Sequence, residues 1–173
     1  NFSVFLLMPA NIVPHSPAMT AAERTAVASL GALYAVRMLG LFMVLPVIAI
    51  YLSAYPGYSP AMLGLALGAY GLTQALLQIP FGLWSDRWGR KPVITIGLLV
   101  FFIGSVVAAT ADTAVGVVIG RAIQGAGAIA STVLALVADL TREEQRSKAM
   151  AAIGMSIGLT FALSLILGPL VAA

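Results

Sequence analysis

The chain has 173 residues, of which 61 % are hydrophobic and only 9 % charged, and its mean hydropathy is +1.03. Soluble domains are about a quarter charged, and a core of this size cannot hide so much apolar surface from water, so the composition excludes a water-soluble globule and points to lipid as the solvent. Cysteine is absent, which removes disulfides and thiolate metal sites, and the net charge of +3 comes without the basic stripe and interleaved aromatics that nucleic-acid binding needs.

Residues 1–18, NFSVFLLMPANIVPHSPA, do not begin with Met, and their short apolar run is followed by Pro9, Pro14 and Pro17. They read as a disordered tail, or as sequence upstream of a start at Met19, with His15 solvated. Residues 19–173 then carry five apolar spans, at about 26–50, 61–84, 93–111, 114–138 and 149–173. Each is near or above the ~20 residues that cross a hydrocarbon core as a helix. Helices satisfy their own backbone in lipid, and the alternation of a membrane barrel is missing. The expected fold is therefore an all-α membrane protein, a helical bundle. The last span is still apolar at Ala173, which suggests a fragment of a longer polytopic protein.

Basic residues set the expected orientation. Arg87, Arg90 and Lys91 lie in the turn 85–92, and Arg142, Arg146 and Lys148 lie in the turn 139–148. The connections 51–60 and 112–113 contain no Lys or Arg. The positive-inside rule puts the N-terminus and both basic turns in the cytoplasm. Gly64/Gly68, Gly116/Gly120 and Gly154/Gly158 are each four apart, and read as tight helix packing inside the bundle.

Two cations fall inside spans. Arg37 is near the middle of the first and Arg121 is in the fourth. Arg cannot shed its proton, and placing one at a span centre costs about 2.5–3.5 kcal/mol or more, so both should face the bundle interior. They read either as part of a substrate, proton or gating path, or as structural arginines bonded to carbonyls of a neighbouring helix. Gln124, Gly125 and Ala128 share a helix face with Arg121 and suggest a cavity wall. Gln74 and Gln78 form a polar pair that either lines a cavity or bonds between helices.

Asp139 ends the fourth span, where the helix dipole disfavours an anion, so it needs a cation. Arg142 is one candidate and the charged turn 85–92 supplies others. Asp86 and Arg90 are four apart and can pair if their segment is helical. Asp86, Arg90 and Asp139 together could form a latch. Glu143, Glu144, Arg146 and Lys148 read as a solvated loop. No metalloprotease motif, phosphate loop or Ser/His/Asp set appears, so neither an enzyme nor a cofactor or metal site is expected.

The stretch GLWSDRWGRKP, through Gly82, Asp86, Arg87, Gly89, Arg90 and Lys91, resembles the signature between helices 2 and 3 of the major facilitator superfamily. RAIQGAGA, from Arg121 to Ala128, resembles the helix 4 motif. Leu39-Gly40 with Pro46-Val47, and Gly168-Pro169, resemble the helix 1 and helix 5 motifs of its drug/proton antiporters. Ala49 replaces the last proline of the first motif. Ser164, Ala172 and Ala173 replace the outer glycines of the second.

The resemblance implies the first five of twelve helices, built as two six-helix halves that rock in alternating access. It also implies that Asp86, Arg90 and Asp139 lock the outward-facing state against helix 11, and that Arg121 takes part in proton transfer. The implied function is proton-coupled efflux of small amphipathic compounds across the inner membrane. The implied partners are the small-molecule substrate, protons, the lipid bilayer and the missing C-terminal half. Two other readings stay open: a sugar or metabolite symporter or facilitator of the same superfamily, and a non-transporting membrane scaffold or sensor.

Overall fold

The computed structural model describes residues 18–172, so the expected tail and His15 lie outside the described residues. The described chain is helical: α1 (Ala21–Tyr51), a 3-10 turn (Leu52–Ala54), α2 (Pro60–Trp88), α3 (Arg90–Ala109), α4 (Ala114–Ala126), α5 (Ala130–Asp139) and α6 (Glu143–Ala172). Counting α4 and α5 as one span, five helical segments are long and apolar enough to cross a membrane. Side chains start several of them. Thr20 and Glu23 form a capping box on α1, Ser59 caps α2 with Pro60 at its first position, and Thr113 caps α4.

Two features differ from the sequence expectation. First, the helices run past the apolar spans. Residues 85–88 complete α2, and α3 begins at Arg90, so the turn 85–92 shrinks to Gly89, with φ 93°. Glu143, Glu144, Arg146 and Lys148 are not a loop but the first turns of α6. Hydropathy marks where a helix meets hydrocarbon, not where it ends, and acidic residues favour a helix N-terminus. Second, the fourth span breaks at 127–129 into α4 and α5. There Gly127 is pressed against α3: a Cβ on it would lie 2.3 Å from the Gly97 carbonyl oxygen and 2.9 Å from the Phe101 nitrogen.

Helix α1 runs parallel to α6 along its length. Glu23 meets Arg142 at one end, Gly31 faces Ile153 and Ser156, and Gly168 touches Pro46 at the other. Helix α4 lies between α2 and α3, and α5 touches both groups. A Cβ on Gly104 would lie 2.2 Å from the Gln124 nitrogen, and one on Gly120 would lie 2.4 Å from the Ala108 nitrogen, so α3 and α4 meet backbone to backbone. Of the spaced glycine pairs only Gly120 packs in this way, while a Cβ on its partner Gly116 would lie 2.9 Å from the Ala111 Cβ. A Cβ on Gly64, Gly68, Gly154 or Gly158 would have nothing within 4 Å among the described residues. Spacing of four defines a helix face, but not which face the bundle uses.

Replacing Gly104 by Ala should destabilise the protein by roughly 1–3 kcal/mol, the usual cost of overpacking. Gly154→Ala should not destabilise it. Thermal unfolding of the two purified variants in detergent checks the contrast.

Candidate functional site

One end of the bundle carries an ionic cluster. Gly89, with its positive φ, lets α3 fold back beside the end of α2. Arg90 opens α3 and pairs through Nη1 with Asp86 across that bend. The same nitrogen donates to Ser85 Oγ at 2.6 Å, and Arg90 Nε donates to Asp139 Oδ2 at 3.0 Å. Arg90 thus ties the ends of α2, α3 and α5 together. Asp86 and Asp139 remain more than half exposed. Gly82 lies one turn deeper, in ordinary contact with Ser131 of α5. Arg87 and Lys91 are exposed and make no ion pair among the described residues.

Arg142 is not the partner of Asp139. Its Nε donates to Glu23 Oε1 at 3.0 Å and its Nη2 to Glu23 Oε2 at 3.1 Å. The side-chain hydrogen bond to Glu23 raises the Arg142 pKa above its ordinary value. The sequence reading passed over Glu23. Its signal was the Thr-x-x-Glu spacing of Thr20 and Glu23 ahead of an apolar run.

The other end holds a cavity of about 690 Å³, lined by Val44, Tyr51, Tyr55, Phe101, Arg121 and Gln124 among others. Arg121 is 1 % exposed. Its Nε donates to the Ala66 carbonyl at 3.3 Å, its Nη1 donates to Gln124 Oε1, and its guanidinium lies 4.8 Å from the Tyr70 ring centre. Gln124 Nε2 passes the chain of bonds on to Ser105 Oγ at 2.9 Å. Both polar residues are therefore fixed in orientation where they reach the cavity.

The other residues expected on a path do not line this cavity. Arg37 is buried and donates through Nη2 to the Gly127 carbonyl at 2.6 Å, with its guanidinium 4.9 Å from the Phe101 ring centre. The bond reaches a carbonyl of a neighbouring helix, at the break between α4 and α5. Gly125 faces α2, where a Cβ would lie 2.2 Å from both the Tyr70 carbonyl oxygen and Thr73 Oγ1; the approaching group is a neighbouring helix. Gln74 Oε1 is buried without a partner among the described residues, and Gln78 contributes its carbonyl to Ser131 Oγ at 3.0 Å. Helix periodicity put these groups on a polar face, but the neighbours of that face come from the fold. Gly168 packs on Pro46, so the helix 1 and helix 5 motif residues touch; Pro169 follows within α6.

Residues 30–173 match the family profile of the Major Facilitator Superfamily. Over 153 residues the chain is 58 % identical to the inner membrane transport protein YajR of Escherichia coli, an alignment covering 88 % of this chain and 34 % of that protein. It is 45 % identical over 139 residues to an uncharacterized transporter of Buchnera aphidicola from Schizaphis graminum, covering 80 % and 36 %. It is 32 % identical over 137 residues to multidrug resistance protein 2 of Bacillus subtilis, covering 78 % and 33 %. The chain spans about a third of the length of these relatives.

Gly89 has φ 93° and ψ 152°, a region that is essentially glycine-only. Gly89→Ala should cost on the order of 1–3 kcal/mol and displace Arg90 from Asp86. A chemical-denaturation midpoint below that of the parent chain is the expected readout.

Proposed function

The chain belongs to the Major Facilitator Superfamily, and from this premise we propose that it forms the first five spans of a twelve-helix, proton-coupled exporter of small amphipathic compounds. Such a transporter works by alternating access, with its substrate near the membrane midplane between two halves. The placement of basic residues supports a cytoplasmic N-terminus and a cytoplasmic ionic cluster. The name of the Escherichia coli relative supports the inner membrane, and that of the Bacillus subtilis relative supports drug efflux. Transport, rather than catalysis, is the activity.

One observation carries the reading. Arg90 ties the ends of α2, α3 and α5 together at one end of the bundle, and the other end holds a cavity walled by a buried arginine. Asp86, Arg90 and Asp139 form the latch, with Gly82 and Gly89 shaping the helix ends and Arg87 and Lys91 holding the cytoplasmic side. Exposed ion pairs are worth about 0–1 kcal/mol each, so the latch is weak enough to break and remake in every cycle. Arg121 and Gln124 supply the polar wall that meets substrate and proton. Gly168, beside Pro169, keeps α6 against the Pro46 region of α1. Outside the spans, the partners are lipid, substrate and the other half of the transporter.

Proton-driven dye efflux from vesicles tests the reading, and its absence in the parent protein would refute drug export. Asp86→Asn should lower efflux about tenfold, equal to about 1.4 kcal/mol, at parental expression; parental efflux would sink the latch. Arg121→Ala removes an insertion cost of about 2.5–3.5 kcal/mol, so the variant should insert normally and turn over slowly. A variant that fails to insert would assign Arg121 a structural role.

A further inference from the structure

The end of the bundle that carries the latch holds a second ionic contact, and it is the better-made of the two. Glu23 is only 6 % exposed, whereas Asp86 and Asp139 are more than half exposed. Its Oε1 accepts from the Arg142 backbone nitrogen at 2.9 Å and from Arg142 Nε at 3.0 Å. Its Oε2 accepts from Arg142 Nη2 at 3.1 Å, from the Thr20 nitrogen at 2.7 Å and from Thr20 Oγ1 at 3.0 Å. Arg142 Nη2 reaches on to the Ala18 carbonyl at 3.2 Å. Charge-assisted forks of this kind fix geometry as well as adding energy.

The contact lies where two helix groups meet. Helix α1 packs along α6, while α4 packs with α2 and α3. The connection between α5 and α6 passes from one group to the other. Asp139 ties its start to Arg90 of α3, and Arg142, three residues on, ties it to Glu23 of α1. Between them Thr141 Oγ1 donates to the Val137 carbonyl at 2.7 Å, which keeps the short segment on the end of α5. Glu23 also accepts from the connection's own backbone, so it fixes the path of the chain and not merely a side chain.

We propose that Glu23 and Arg142 form a positioning clamp, which holds the connection 139–142 where Asp139 meets Arg90 and so keeps this end of the transporter closed. The clamp rests on the latch reading above. An exposed pair gains little by itself, and ordering its partner beforehand removes part of the entropic cost of forming it.

The chain is free of cysteine, so a single Ser131→Cys can report closure. Ser131 is half-buried against Gln78 and Gly82, inside the latched end. In the detergent-purified full chain, labelling of this cysteine by a bulky maleimide should be slow. Glu23→Gln and Arg142→Gln should each speed it about tenfold, equal to about 1.4 kcal/mol of opening free energy. The neighbouring Glu143→Gln should leave it unchanged. Asp139→Asn should also speed labelling, and the Glu23→Gln/Asp139→Asn double variant should label no faster than the faster single variant. Parental labelling in folded Glu23→Gln and Arg142→Gln, with fast labelling in Asp139→Asn, overturns the clamp alone. Parental labelling in Asp139→Asn overturns the latch beneath it. Where Glu23→Gln lowers the melting temperature too far to assay, Arg142→Lys keeps the charge and loses the fork; parental labelling there likewise overturns the clamp.

Discussion

Arg37 reaches from α1 to the carbonyl of Gly127, and each group needs the other. A guanidinium in a span cannot lose its charge, and a broken helix leaves carbonyls that lipid cannot satisfy. Putting the arginine at the break gives one of those carbonyls a charged donor through a bond of 2.6 Å, while Arg37 Nε and Nη1 are buried without a hydrogen-bond partner among the described residues. Phe101 of α3 adds its ring face to the same guanidinium, so α1, α3 and the α4–α5 break are joined at one buried point. The break in turn depends on glycine, because α3 passes where a side chain on Gly127 would stand.

From that buried joint the two ends of the bundle diverge in character. Toward the cavity, Arg121 is held by a carbonyl, an amide and an aromatic ring, with no carboxylate among these contacts. Toward the other end, the charges are paired as ions: Arg90 with Asp86 and Asp139, and Arg142 with Glu23. Ion pairs near water are cheap to break, while a guanidinium enclosed by protein is costly to move. The paired end is thus held by contacts that break cheaply, and the enclosed arginine by contacts that do not.

Legibility differed by kind of residue. Long apolar runs with charged interruptions defined five spans, since only a helix satisfies its backbone in lipid. The Asp86–Arg90–Asp139 grouping was also readable, because an acid at a helix C-terminus must find a cation and few were available. Its geometry was not. Asp86 and Arg90 meet across the bend at Gly89 and not along one helix, and Arg142 is taken by Glu23. Gln74, Gln78 and Gly125 share faces with polar neighbours in sequence, yet their surroundings come from helices tens of residues away. Gly64 and Gly154 look like packing glycines by spacing, and stand open.

The sequence by itself determined the solvent, the number of spans, the family and the short list of charges that must be answered. It did so because hydropathy and charge are additive along a chain, and because each intramembrane arginine carries a fixed cost wherever it packs. Only the tertiary structure decided which partner answers each charge. Arg37 goes to a carbonyl at a helix break, Arg121 to the cavity wall, Arg90 to two acids on different helices, and Arg142 to the first turn of α1. Those choices depend on which helix faces lie together, and a periodicity of 3.6 residues fixes a face without fixing its neighbour.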